Sequence, residues 1–417
     1  MSQPLRVLTH ESIQVGADLP VWLRAGGGLG LERALAAPAD IVDQIEQAGL
    51  RGLGGAGFPT HRKWRAVASQ APLAGQGKWI ICNGNEDEPG TFKDRFLLAR
   101  TPHQVIEGAL IAALAVAANH IALYVNPEQP DAVQAMHDAV RAWDDHPLLA
   151  RVGQAVGAPV TLQLTPGSGL YIGGEETAAV ASVMGGFPFP SLKPPFPAEK
   201  GVHGAPTLVN NIETLAHVPH ILRHGAAWYG ALGKGAASGT KLYSLSGDVM
   251  RPGLHELPMG ISLRELIFTH GGGMLAGRAF KAVFTGGPSN TLLTARDLDV
   301  ALDFDSVRAR GSRLGTGAMI VVGEGTSVLR KTAEYVGFFA RNSCGQCPSC
   351  KIGTHQIARL LERIDGGAGR QADLQALENL AQLLPGSGRC GLVDGAATVL
   401  ASSLATFRPE YERALRD

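Results

Sequence analysis

The sequence predicts an α/β domain, then a small β-grasp module, then a helical region built around cysteines. Three observations carry that order. Between residues 49 and 215, strand-like apolar runs alternate with glycine-rich loops and alanine-rich helical stretches, the pattern of a Rossmann-like domain. After a glycine-rich linker, Gly233–Gly239, the order is strand, turn, strand, helix, which reads as a β-grasp. From Ser327 onward the apolar spacing is helical and breaks only where cysteines lie.

A length of 417 residues allows two or three domains, each with its own core. The expected limits are an N-terminal segment 1–60 ending in a glycine loop, an α/β domain 61–230, a β-grasp module 240–325 and a helical domain 326–417. With 37 basic and 37 acidic residues there is no electrostatic footprint for nucleic acid. The longest apolar run, Ala109 to Ala118, is too short to insert in a bilayer. No basic run followed by an apolar segment opens the chain, so a cytoplasmic protein is expected. Five cysteines in so long a chain argue against a disulfide scaffold.

The densest glycine cluster runs from Gly49 to Thr60 and includes Gly52, Gly54, Gly55 and Gly57. Glycine allows backbone to approach a ligand closely, and successive free N–H groups ahead of a helix cradle an anion. Arg62 and Lys63 follow directly. The loop matches neither the dinucleotide fingerprint nor the P-loop, and a plain turn is the alternative. Next, Lys78–Cys82 reads as a strand leading into a polar cluster, Asn83 to Arg95. Loops past the C-terminal end of a strand are where α/β folds hold ligands. The cluster's amides can bond a flavin ring and its carboxylates ribose hydroxyls; a charged surface loop is the alternative. Cys82 reads as a buried core thiol.

Pro102–Ala118 reads as a buried helix and His120–Asn126 as a strand. A second glycine turn, Gly167 to Thr177, passes into a helix, where Glu175 and Glu176 can simply complement the dipole. Lys193-Pro-Pro-Phe196-Pro197 makes a stiff loop with one cation and one ring. Asn210 and Asn211 precede a helix, where they serve as a cap or face a ligand. Together these loops suggest one large cofactor. In the β-grasp module the strands are Thr240–Gly247, Phe280–Phe284 and Ala318–Val322, with a turn at Arg251-Pro-Gly253 and a helix near Leu263–Thr269.

Cys344, Cys347 and Cys350 stand three apart, and Cys390 follows 40 residues on. That spacing points to a cubane [4Fe–4S] cluster. Structural zinc is the alternative, although zinc sites usually show two CxxC pairs. Gly386–Gly391 interrupts the helices so that the fourth ligand can turn back. A cluster moves single electrons, so the rest of the chain must supply their source.

The glycine loop at 52–60, EPGTFKDR at 88–95, GEET at 174–177, KPPFPA at 193–198, NN-ETL at 210–215 and the SCGxCxxC motif occur in one order. In all of them the chain resembles the NADH- and FMN-binding subunit of bacterial respiratory NADH dehydrogenase and of related NAD-linked hydrogenases and formate dehydrogenases. The resemblance implies an SLBB-type β-grasp, FMN, NAD(H) and a [4Fe–4S] cluster, in an electron-input subunit of a larger oxidoreductase. Gly52, Gly54, Gly55, Gly57 and Lys63 are implied around the FMN phosphate. Asn83, Asn85, Gly174 and Glu175 approach the flavin, and Asn210 and Asn211 its phosphate side. Phe58, Phe196, Glu88, Glu176 and Lys193 resemble the partners of the nicotinamide nucleotide. No residue serves as a catalytic acid or base, because hydride passes directly to flavin. The alternative implied is a subunit that uses another donor, or reduces NAD+ for a partner dehydrogenase.

The chain departs from the family pattern at Leu53, in place of arginine, at Asn85, in place of aspartate, and at Asn342, in place of glutamate. Losing a carboxylate at 85 is expected to raise the flavin potential. These departures mark a divergent member. The expected partners are a separate thioredoxin-like [2Fe–2S] subunit and further iron–sulfur or dehydrogenase subunits, with membrane association only through them.

Overall fold

A computed structural model describes residues 6–72 and 75–416. Residues 1–5, which enter both the reading of the N-terminus and the 1–60 segment, lie outside them. Four parallel strands form the first sheet: β1 (Trp79–Gly84), β2 (His120–Val125), β3 (Thr161–Pro166) and β4 (Thr207–Asn211). Their order is β3-β2-β1-β4. The order reverses between β1 and β4, so the crevice for a ligand opens beyond the C-terminal ends of these two strands. Asn83 and Asn211 are register partners there. The helix Pro102–Val116 is buried almost throughout, as an apolar run beneath a sheet must be.

The second sheet is mixed, with order β6-β5-β9-β7-β8. Its strands are β5 (Thr240–Gly247), β6 (Gly253–Pro258), β7 (Phe280–Thr285), β8 (Leu293–Thr294) and β9 (Ala318–Gly323). The helix expected near 263–269 is a short π-turn helix, Glu265–His270. Alternation along β9 gives this sheet two partners. Met319 and Val321 join the core shared with the first sheet. Ile320 and Val322 face the C-terminal helices. Those helices are Val328–Asn342, Pro348–Asp365, Gln371–Leu383 and Leu392–Arg413.

Buried carboxylates tie the layers together. Glu256 on β6 accepts from the backbone N–H groups of Val7, Leu8 and Thr9 and from the Thr9 and Thr240 hydroxyls. Glu107 accepts from Trp22 Nε1 and from the N–H groups of Gly28 and Leu31. Residues 7–31 are thereby fastened to β6 of the second sheet and to the helix Pro102–Val116.

The helix Ile212–His224 carries a histidine whose surroundings predict acid sensitivity. His217 is fully buried, packs edge-on against Tyr229, and has no hydrogen-bond partner at either ring nitrogen. Burial pulls its pKa down to about 4. The ring is therefore neutral in the folded protein, and the stability this carries is lost as pH falls from about 6.5 toward 4. A His217→Leu variant should gain on the parent by about 2 kcal/mol between pH 7 and pH 5. Denaturant unfolding at the two pH values reads that gain, and a difference independent of pH rules the account out.

Candidate functional site

The site begins at the glycine loop. Gly52 N–H donates to the Phe58 carbonyl at 2.8 Å, and Gly57 N–H to the Gly52 carbonyl at 3.2 Å, closing the loop. Among the described residues no backbone carbonyl accepts from Gly54, Gly55 or Ala56. A Cβ on Gly54 would stand 2.7 Å from the Asn211 Cβ, so the loop can lie against β4 only as glycine. At Gly55, φ is +146° and the space where a side chain would stand is open. The loop runs into the helix Thr60–Ala68. The buried Thr60 hydroxyl there has no partner, and sequence reasoning missed it as a site residue.

Two clefts meet at this loop. The first, of about 710 Å³, lies between the helix Thr60–Ala68 and the 193–199 loop. It contains Gly52, Gly54, Gly55, Gly57, Phe58, Lys63, Glu176, Lys193, Phe196 and Asn210. The second, of about 340 Å³, holds Asn85, Glu88 and Glu175 and reaches Tyr171, Ile172 and Cys390. Gly54, Asn83, Gly174 and Asn211 line both. All sixteen residues expected to bind flavin or nucleotide thus border one or the other of these two adjoining clefts.

Several of them are already engaged. Lys63 Nζ donates to Glu176 Oε2 at 3.0 Å and to the Val209 carbonyl at 3.2 Å. Lys193 Nζ lies 2.6 Å from Glu176 and 2.9 Å from Glu175. Burial works to raise the Glu176 pKa, but these two lysines outweigh it and hold the carboxylate below its usual range. Glu175 also caps the helix Glu176–Val183 by accepting from Thr177 and Ala178 N–H. Asn210 accepts from Trp64 Nε1 at 2.9 Å. Asn83 donates to the Gly174 carbonyl at 2.9 Å, and Asn211 to the Asn83 carbonyl at 3.1 Å.

Asn85 and Glu88 line the second cleft, and each has one buried oxygen without a partner, Asn85 Oδ1 and Glu88 Oε1. Burial lifts the Glu88 pKa to about 7, with Tyr171 and Ser289 acting against it. The Asn85 amide donates to Asp87 Oδ2 at 2.5 Å, and Asn126 donates to Asp87 Oδ1 at 2.6 Å. A carboxylate absent at 85 therefore stands two residues on, beside the same amide. Burial raises the Asp87 pKa first of all, and the two amides oppose that. Leu53 is a core residue, 1% exposed, whose N–H donates to the Thr214 hydroxyl. Asn342 accepts from Tyr171 N–H at 3.4 Å and so holds the 171–174 turn against the C-terminal helices.

The four thiols of Cys344, Cys347, Cys350 and Cys390 line one small pocket with Ile172 and Pro190. Arg389 N–H donates to Cys347 Sγ at 3.4 Å, and the Ser343 hydroxyl lies 3.2 Å from Cys350 Sγ. Burial pushes the Cys390 thiol up to about 11, opposed by the Leu392 N–H. Iron coordination deprotonates such a thiol outright. Among the described residues no three His, Cys, Asp or Glu side chains converge tightly enough to hold a single metal ion. Zinc would need its thiolates at Zn–S distances of about 2.3 Å. All four thiols line the same pocket, the donor set that a [4Fe–4S] cluster takes. Ile172 and Cys390 line both this pocket and the second cleft.

Comparison with known proteins divides the chain in the same order. Residues 45–220 match the Nuo51 FMN-binding domain, 241–321 the SLBB domain, and 330–414 the NADH-ubiquinone oxidoreductase-F iron-sulfur binding region. The chain is 41% identical to the NADH-quinone oxidoreductase F 2 subunit of Rhizobium meliloti (strain 1021), over 99% of its own length and 97% of that protein. It is 39% identical to the HndC subunit of the NADP-reducing hydrogenase of Solidesulfovibrio fructosivorans, over 93% of this chain and 79% of that one. Among solved structures, an air-oxidised NAD+-reducing [NiFe]-hydrogenase superposes with a TM-score of 0.82 at 35% identity. That match covers 95% of this chain and 67% of the hydrogenase chain.

Proposed function

The chain belongs to the family of the NADH-quinone oxidoreductase F subunit, an electron-input subunit with FMN and a [4Fe–4S] cluster, and on that premise we propose which residues hold each group. When bound, FMN would supply the chemistry of accepting hydride from NADH and releasing electrons singly toward the cluster. The rest of the work is binding and positioning.

Gly54, Gly55 and Ala56 offer free N–H groups, and the Thr60 hydroxyl an unpartnered donor, to the FMN phosphate at the start of a helix. Gly52 and Gly57 close that loop. Lys63, Asn210 and Asn211 complete the phosphate side. Asn83 and Gly174, joined by a hydrogen bond, would hold the flavin ring together with Asn85 and Glu175. Phe58 and Phe196, each about half exposed, present rings to the nucleotide, with Glu88, Glu176 and Lys193 as polar partners. Cys344, Cys347, Cys350 and Cys390 hold the cluster. Domain limits at 60, 230–240 and 325 belong to the same proposal, supported by the linker ahead of β5.

The observation that carries the reading is the shared wall. Ile172 and Cys390 border both the second cleft and the cysteine pocket, so electrons leaving the flavin site have a short way to the cluster. The subunit then needs an acceptor outside the chain, and we assign that role to a thioredoxin-like [2Fe–2S] subunit and further iron–sulfur or dehydrogenase subunits. No helix among the described residues is long and apolar enough to cross a membrane. Any membrane association is assigned to partners.

Purified protein should show a flavin spectrum that bleaches on anaerobic addition of NADH, with about one FMN and four irons per chain. Zinc without labile sulfide, or a flavin that NADH leaves oxidised, would falsify the reading.

A further inference from the structure

The first cleft carries one cation left unpaired among the described residues. On the helix Thr60–Ala68 the other basic side chains are paired. Lys63 holds Glu176, His61 lies 3.4 Å from Glu46, and Arg65 contacts Asp43 and Glu46. Arg62 makes no ion pair or side-chain hydrogen bond among the described residues, is exposed, and lines the cleft. Ala66 follows it at i+4 on the same helix face, and Gln70, past the helix end, lines the same cleft. Ala66 is small enough to leave room beside the guanidinium, and Gln70 adds a neutral amide.

Charge on the facing wall bears on what this cation meets. In dinucleotide sites a free carboxylate holds the ribose 2′-hydroxyl and disfavours a phosphate there, whereas an arginine accommodates it. Here Glu176 is compensated by both Lys63 and Lys193. Glu199 accepts from Phe196 N–H within its own turn. The charged residues lining the cleft are Arg62, Lys63 and Lys193 against Glu176 and Glu199, three cations to two carboxylates. Lys193 also pairs with Glu175, so the one cation lining the cleft that no carboxylate contacts among the described residues is Arg62, four residues past the exposed ring of Phe58.

We propose that Arg62 is a specificity-determining residue that fits this cleft to a nucleotide bearing a 2′-phosphate on its adenosine ribose, so that the chain takes NADP(H) as well as NAD(H). The inference rests on the assignment of this cleft to the nucleotide. A guanidinium binds a phosphate through two parallel N–H donors, which a hydroxyl cannot reciprocate.

Calorimetric titration of the full FMN-loaded chain with 2′,5′-ADP and with 5′-AMP tests it without turnover. The expected result is about tenfold tighter binding of 2′,5′-ADP, as one charge-assisted contact in a partly solvated cleft provides. That preference should shrink with added salt, vanish in Arg62→Ala and return in part in Arg62→Lys. Equal affinities in the parent, or a preference that survives Arg62→Ala, overturn the assignment to Arg62. Failure of both ligands to bind overturns the nucleotide cleft itself, and this inference with it.

Discussion

Replacing Glu213 with Gln should destabilise the protein by about 3–5 kcal/mol, because it leaves buried cations without their counter-charge. Glu213 is fully buried. Its Oε2 lies 2.6 Å from Lys241 Nζ and 2.9 Å from Lys93 Nζ, and its Oε1 accepts from Leu242 N–H at 2.9 Å. Burial acts to raise its pKa, but the two lysines outweigh that and hold it ionised. The lysines themselves differ. Burial works against the charge on Lys93, but Asp94 and Glu213 together raise its pKa. Lys241 leans on Glu213 alone among carboxylates in contact, and burial brings it down to about 8. In the variant, Lys241 should therefore lose its proton close to neutral pH, and part of the loss should recover as pH rises. Replacing both groups, as Glu213→Leu with Lys241→Met, should restore part of the stability, since a buried pair often exchanges for apolar packing at little cost, while Lys93 keeps only Asp94 and Leu242 N–H loses its acceptor. Denaturant unfolding of the three proteins checks this. A Glu213→Gln variant within about 0.5 kcal/mol of the parent would mean that water reaches the pair.

This ion pair also shows what the sequence could and could not reveal. The segment NN-ETL was legible as a motif, and Asn211 does cap the helix Ile212–His224. Its glutamate clamps β5 from across the chain, and no local pattern shows that. The core strands β1, β2, β5, β7 and β9 were readable as apolar runs. β3 was not, because at the sheet edge its residues alternate between exposed and half-buried and offer no apolar stripe. β4 was hidden because its last residue is also a helix cap, and the asparagines read as a cap alone. In the site, glycines and cysteines stood out because few residues can replace them. Thr60, Tyr171 and Ile172 are ordinary residue types, and only their placement gives them a role. Asn85 and Asp87 were visible in the letters, but the 2.5 Å contact between them was not.

The cysteine pocket gives the second large effect. Cys390 lies far in sequence from every flavin motif, and on sequence alone its replacement is expected to remove the cluster more readily than the flavin. In the folded chain it stands in the wall between the two sites, beside Ile172. Cys347 lines the cysteine pocket and does not border either cleft. Both Cys390→Ala and Cys347→Ala should lose the cluster, since each removes one of four thiolate ligands. They should differ at the flavin. Removing the Cys390 side chain opens the partition, admits water to the second cleft and removes packing next to Tyr171, whose ring is held by Phe338 and Phe339. FMN retained on gel filtration should then fall several-fold in Cys390→Ala and stay near the parent level in Cys347→Ala. Circular dichroism confirms that both variants remain folded. Equal FMN retention by two folded, cluster-free variants would show that the wall does not couple the sites, and the short path from flavin to cluster would lose its structural support.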